Sequence, residues 1–355
     1  VRDYPFLVDP QIARRGRSLN KGCPMDLMTF FLADWLGKPA WMWLAFMGVV
    51  VALLVLDLGV LHRDQHEIGV RESLLLSSMY IAVALVFGGW VWWELGSQSG
   101  MEYLTGFAIE KSLAMDNVFV IAMIFGYFAI PRALQHRVLF WGILGVIVLR
   151  AIMIGAGAAL VSQYGWVLYI FAAFLIFTGI KMFFAGDGHA DLGANPLVKW
   201  MRGHLRITDQ LQGQRFFVRE PHPKTGRMVL WATPMFLALV MIEIADVIFA
   251  VDSVPAIFAI TTDPYIVYTS NIFAILGLRA LYFALAAIIH RFAYLKQALA
   301  VLLVFIGGKI FLADLLGWEK FPAEWSLAIT AFILAAGVFW SLWKTQGQSS
   351  ETSSS

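Results

Sequence analysis

Long apolar runs constrain this 355-residue chain more than any other feature. Nine of them, each near the 20 or so residues that carry a helix across a bilayer, fall at about 41–61, 74–96, 103–126, 137–160, 165–185, 233–259, 266–288, 296–316 and 325–343. A helix closes its own backbone hydrogen bonds, which hydrocarbon otherwise leaves unmet. The pattern therefore predicts an all-α polytopic membrane protein with about nine transmembrane helices. Composition agrees: 60% of residues are hydrophobic and 14% charged, against about 25% charged in soluble domains, and the mean hydropathy is +0.73. The lipid bilayer is the expected surrounding, and no nucleic-acid partner is indicated.

Against that background, acids inside the spans stand out. EKSLAMDNVFV at 110–120 and DVIFAVDSVPA at 246–256 each place a carboxylate six residues before an Asp, giving Glu110 with Asp116 and Asp246 with Asp252. An ionised carboxylate at a helix centre costs roughly 2.5–3.5 kcal/mol or more, so such groups face a bundle interior, a partner charge or a permeating ion. Cation handling is the reading that uses all four. Carboxylate, hydroxyl and amide oxygens suit hard divalent ions such as Mn²⁺, Mg²⁺ and Ca²⁺. Asn117, Ser253 and Asn271 are candidate auxiliary ligands, and Asp57 and Glu243 add charge. Cys23 is the one cysteine and lies outside every span, so neither an intrachain disulfide nor a multi-thiolate metal centre is available.

Lys and Arg accumulate in cytoplasmic loops. Thirteen of them lie in the loops after spans 1, 3, 5 and 7, whereas alternate loops carry only Lys320. This bias places the N-terminus outside and the C-terminus in the cytoplasm. Residues 1–24, with Arg2, Arg14, Arg15, Arg17 and Lys21, do not conform. Met25 begins a segment leading into the first span, so they read as an artefact of start-site choice or a disordered extension. The polar stretch 344–355 reads as a disordered cytoplasmic tail.

The organisation expected is thus 25–185 with spans 1–5, a cytoplasmic segment 186–228, and 229–343 with spans 6–9. Within 186–228, PLVKWMRGHLRITD reads as a basic amphipathic helix suited to anionic headgroups, and QRFFVRE and RMVLWAT as two strands around a turn. Asp187, His189 and Asp191 alternate in a way that could hold a metal weakly, though a polar linker accounts for them equally.

The chain also repeats itself. LRAIMI at 149–154 matches LRALYF at 278–283, and FTGIKMF at 177–183 matches FIGGKIF at 305–311. Glu110, Asp116, Arg150 and Lys181 then correspond to Asp246, Asp252, Arg279 and Lys309, so spans 3–5 recur as spans 6–8. Three spans reverse direction, which makes this an inverted repeat of the kind that builds many secondary transporters around a mid-membrane site. In antiparallel helices Glu110 lies level with Asp252 and Asp116 with Asp246, and Pro255 suggests a local helix break that helps the acids converge. Arg150, Arg279, Lys309 and Lys181 compensate charge. The competing reading is an internal salt-bridge network with a structural role alone.

These motifs, with ANPLVKWMRGHLRITD, ATPMFLALVMIEIADVIFAVDSVPAIFAITTDP and SNIFAILGLRALYF, resemble the TerC family of integral membrane proteins, and within it the Alx-like manganese exporters, over Leu44 to Leu316. The resemblance implies a metal exporter of the broader LysE superfamily, with Mn²⁺ as leading cargo and Glu110, Asp116, Asp246 and Asp252 in its transport site. The chain reads accordingly as an inner-membrane carrier working by alternating access, with protons as the coupled ion, because crowded acids in a low-dielectric site favour proton uptake as metal leaves. A carrier of Ca²⁺ or another divalent cation and a non-transport membrane scaffold or partner protein are the alternatives. No cofactor is expected, nor an enzyme, since the acids lack a nucleophile, cofactor motif or soluble catalytic domain.

The orientation is open to direct measurement. In a Cys23→Ser background, a cysteine at Thr262 is expected to react with an impermeant thiol reagent from outside and one at Thr208 is not; the reverse pattern would invert the topology.

Overall fold

The computed structural model describes residues 27–59, 70–184, 196–208, 211–221, 226–285 and 295–351. The 1–24 extension and the Asp187, His189 and Asp191 trio lie outside the described residues. Residues through Val49 form one compact unit and those from Val50 onward another. In the first, α1 (Leu27–Leu32) leads to a minimal antiparallel hairpin of β1 (Asp34–Trp35) and β2 (Lys38–Pro39). Its turn is fixed where the Asp34 carboxylate accepts the Gly37 N–H at 2.7 Å. The helix α2 (Ala40–Gly59) follows.

The second unit is a helical bundle. Its elements are α3 (Val70–Leu95), α4 (Ser97–Tyr127), α5 (Arg132–Gln163), α6 (Val167–Phe184), α7 (Pro196–His204), α8 (Pro234–Phe258), α9 (Pro264–Leu276), α10 (Leu278–Leu285), α11 (Leu295–Leu315) and α12 (Ala323–Glu351). Chain breakers set the boundaries. Gly96 at φ 90° separates α3 from α4, and Pro234 and Pro264 open α8 and α9, where a missing N–H costs nothing. Asp263 caps α9 by accepting the Tyr265 N–H at 2.9 Å.

Among the described residues, seven helical segments are long and apolar enough to cross a membrane: Arg71–Leu95, Arg132–Gln163, Val167–Phe184, Pro234–Phe258, Pro264–Ala284, Lys296–Leu315 and Ala323–Ser341. Two of the nine expected spans are missing from that set. The apolar helix at Ala40–Leu56 is short, and α4, though 31 residues long, carries Glu102, Glu110, Lys111 and Asp116.

Three expectations are corrected. The break foreseen at Pro255 does not occur, because α8 continues to Phe258. The proline sits in the last turn, where only the bond to the Val251 carbonyl is lost. The interruption falls instead at Gly277, between α9 and α10. Second, α12 runs on to Glu351, into the tail expected to be unstructured; no proline stops it, and Gly347 alone costs about 1 kcal/mol. Third, α7 turns its apolar face inward: Val198 and Met201 are buried in one cluster with Ala114, Val118, Met235 and Leu281. Val198 and Met201 therefore pack into the bundle, whereas Trp200 on the same helix stays exposed. Beyond it, the expected hairpin forms from β3 (Phe217–Pro221) and β4 (Met228–Ala232) in antiparallel register.

Helix directions follow from cross-contacts. Along α5 and α8, Gly142 meets Ile242 and Gly157 meets Phe258, a parallel pair. The helix α4 pairs with α9 in the same sense, since Gly106 meets Ser270 while Lys111 reaches Ala274. Between α6 and α11 the contact is reciprocal. A Cβ on Gly179 would lie 2.7 Å from the Ala300 carbonyl oxygen and 2.8 Å from Val304; one on Gly307 would lie 2.5 Å from the Ala172 carbonyl oxygen and 2.9 Å from Ile176. Contacts that rise along one helix and fall along the other make this pair antiparallel. Only glycine lets the two backbones approach so closely.

Two outcomes follow. Overpacking at the crossing by Gly307→Val should cost about 1–3 kcal/mol, read as a lower thermal midpoint in detergent, whereas Gly308→Ala, with open space around it, should leave the midpoint unchanged. For the labelling experiment, Thr208 is buried and so shielded from reagent on either side; exposed Arg227 is the informative position on that segment.

Candidate functional site

At mid-length in the bundle, where apolar side chains pack on both sides, the structure buries a polar cluster. Arg150 of α5 is its centre and is 1% exposed. Its Nε and Nη2 donate to the two carboxylate oxygens of Asp246 at 3.2 and 3.1 Å, the bidentate fork that a planar guanidinium favours. Its Nη1 donates to Glu110, to Ser253 Oγ at 2.9 Å and to Asn271 Oδ1 at 3.4 Å. Asn117 Nδ2 reaches Asp246 at 3.4 Å. Four helices thus contribute: α4 gives Glu110 and Asn117, α5 Arg150, α8 Asp246 and Ser253, and α9 Asn271. Buried ion pairs hold together only when further hydrogen bonds satisfy their remaining atoms, which the hydroxyl and amides supply here.

The α4–α8 crossing is antiparallel, with Glu110 hydrogen-bonded through Ser253 and Asn117 through Asp246. That register is one residue from the levels read off the sequence. Convergence is narrower than four acids, however. Glu110 and Asp246 share Arg150, whereas Asp252 accepts a hydrogen bond from Thr178 and faces the charge of Lys181 on α6. Asp252 nonetheless lines a cavity of about 50 Å³ together with Arg150, Asn117 and Ser253. Such a space is above the roughly 10–15 Å³ that admits one water. Asn117 Oδ1 is buried there without a hydrogen-bond partner.

The other expected residues are dispersed. Glu243 lies over Gly145 of α5, one turn from Asp246, with its Oε2 buried and unpartnered. Lys309 does not compensate the motif acids: its Nζ donates to Ser326 at 2.9 Å on α12, with Glu102 as the acid nearby. It projects from α11 toward a different neighbour. Arg279 is buried on α10, two residues past the break. The side chains of Asp116 and Asp57 lie outside the described residues. Among the described residues no three of His, Cys, Asp and Glu gather closely enough to hold a metal ion by themselves; the oxygens beside Glu110 and Asp246 are those of Ser253, Asn271 and Asn117.

Sequence reasoning missed Lys111. Its buried Nζ donates to the Ala274 carbonyl at 3.1 Å, beside Gly277, where α9 ends. A cation at a helix C-terminus meets the partial negative charge of the last carbonyls, so Lys111 stabilises the interruption. The signal was present in the adjacency of Glu110 and Lys111: neighbours on a helix point about 100° apart, hence to different partners.

Comparison with known proteins bears on this arrangement. The model of the integral membrane protein TerC family matches residues 95–349. Among similar proteins, the "Putative membrane-bound redox modulator Alx" of Salmonella typhi is 48% identical over 311 residues, covering 85% of this chain and 94% of the relative. An uncharacterized membrane protein of Rickettsia bellii is 47% identical over 297 residues, covering 84% and 95%, and another from Myxococcus xanthus is 45% identical over 310, covering 87% and 94%. No solved structure matches.

The unequal settings of the two acids on α8 give a stability contrast. Asp246→Asn strips a buried bidentate pair and should cost about 3–5 kcal/mol, while Asp252→Asn, at a half-buried position, should cost at most about 1 kcal/mol. Thermal unfolding of the two purified variants in one detergent measures the difference.

Proposed function

This chain belongs to the TerC family of integral membrane proteins, and from that premise we propose that it is a multi-pass carrier of a hard divalent cation, with Mn²⁺ the leading cargo, moved out of the cytoplasm across the inner membrane. One observation carries the reading: acids from two antiparallel helices, Glu110 and Asp246, meet deep in the bundle amid the oxygens of Ser253, Asn271 and Asn117, beside a cavity that Asp252 lines. Carboxylate with neutral oxygen suits Mn²⁺ or Ca²⁺ better than thiophilic ions. The family resemblance ranks Mn²⁺ first and supplies the direction of transport.

The proposed scaffold is an inverted repeat of α4–α6 against α8–α11. Reciprocal contacts at Gly179 and Gly307 support it, as do the two parallel pairs α5–α8 and α4–α9. Apolar layers lie on both sides of the cluster. One contains Ile121, Ile242, Leu281 and α7; the other contains Ile154, Val254 and Phe258. Opening one layer at a time would give alternating access, with protons as the proposed counter-ion. The label redox modulator belongs to the relatives that bear it. A dithiol–disulfide couple needs two thiols, and Cys23 is this chain's one cysteine.

Reconstituted vesicles test the proposal. Wild type should accumulate Mn²⁺ and move protons in the opposite direction, while Asp252→Asn and Asp116→Asn should insert normally and lose at least about 90% of the flux, as expected when a group bound in the transport step is removed. Flux equal to wild type in either variant would take that acid out of the pathway. A folded wild-type protein that moves no Mn²⁺ or Ca²⁺ would favour the scaffold reading.

A further inference from the structure

The oxygens best placed to hold a divalent ion are already engaged by a cation. Arg150 covers both oxygens of Asp246, one of Glu110, the Ser253 hydroxyl and the Asn271 carbonyl oxygen. A metal and a guanidinium cannot share that bidentate face, so loading requires the arginine to leave. The cavity of about 50 Å³ adjoins Arg150 itself, and its other polar lining is Asp252, Asn117 and Ser253. Asn117 Oδ1 is a buried acceptor without a donor. A carboxylate and an unfilled carbonyl-type acceptor across a small cavity make a second seat for a guanidinium on a flexible three-carbon stem.

We propose that Arg150 is a resident counter-cation with two seats: the Glu110–Asp246 seat seen here, and a seat on Asp252 and Asn117 that it takes when a divalent ion enters the first. This rests on the reading that Glu110 and Asp246 bind the metal. The exchange keeps Glu110 and Asp246 from being left as bare buried acids, whose cost is several kcal/mol per ion, while Asp252, half-buried and facing Lys181, tolerates the absence of the arginine between visits. It also selects by charge: a monovalent ion displacing a monovalent guanidinium gains no Coulomb energy, whereas a divalent ion does. Metal release then draws Arg150 back and resets the empty carrier.

Mn²⁺ binding to the purified full-length protein, followed by loss of the free-ion electron paramagnetic resonance signal, tests the two seats. A competitor occupying the site most of the time lowers apparent affinity by the unoccupied fraction, so Arg150→Ala should bind Mn²⁺ at least about tenfold tighter than wild type. Millimolar guanidinium chloride should compete with Mn²⁺ on Arg150→Ala and have no effect on wild type. Asp252→Asn, which keeps Arg150 and weakens its second seat, should bind Mn²⁺ more weakly; this variant decides the matter where Arg150→Ala does not fold. Wild-type binding with no gain in Arg150→Ala and no guanidinium competition would overturn the two-seat exchange while leaving the transport reading standing. Unchanged binding in Asp252→Asn would also overturn it. A folded wild type that binds no Mn²⁺ would overturn both.

Discussion

Burying Arg150 with Glu110 and Asp246 is the condition on which the rest of the bundle rests. Separating such charges in a low-dielectric interior costs several kcal/mol per ion, so the helices that carry them must hold register to within hydrogen-bonding distance. The surrounding sequence is organised to that end. Gly145 and Gly157, where a Cβ would collide with the Glu243 and Phe258 side chains, let α5 lie close against α8, which brings the guanidinium to Asp246. Gly106 does the same for α4 against α9, setting Asn271 opposite Glu110. The glycines are spaced along the contact rather than clustered, so the polar centre sits between two stretches of close packing.

Much of this was legible in the sequence, and the limits have physical causes. Apolar run length is a one-dimensional property, and it located seven of the nine expected spans. Matched six-residue acid spacings are also local, and they pointed to α4 and α8. What the linear pattern does not contain is the azimuth of each side chain relative to a neighbour. Arg150 and Lys309 look alike as intramembrane cations, yet Arg150 faces the acid pair while Lys309 turns to Ser326 and Glu102. Pro255 was the obvious breaker and proved harmless because of its place in the last turn. Gly277, an ordinary glycine in an apolar run, marks the real interruption, and recognising it requires knowing that Lys111 from another helix arrives there.

The apolar layers bear on how a cation could be handled. One is completed by α7, a short helix outside the spans whose Val198 and Met201 join residues from α4, α5, α8 and α10. A segment that appeared peripheral in the sequence therefore helps define one end of the closed compartment. The opposite layer draws on α5, α6, α8 and α9. Because α5 and α8 give different stretches to the two layers, a tilt of α8 that loosens one need not loosen the other.

The composition of α4 has a consequence for biogenesis. Its neighbours are apolar enough to enter lipid alone, but α4 presents Glu102, Glu110 and Lys111 within one helix, and each is buried only because another segment covers it. The partners of Glu110 and Lys111 lie on α5 and α9, which leave the ribosome later. Until they emerge, α4 is a poor substrate for release into hydrocarbon. Its commitment to the membrane must therefore wait on downstream sequence, making assembly of this bundle cooperative across more than 160 residues of nascent chain, the separation between Lys111 and Ala274.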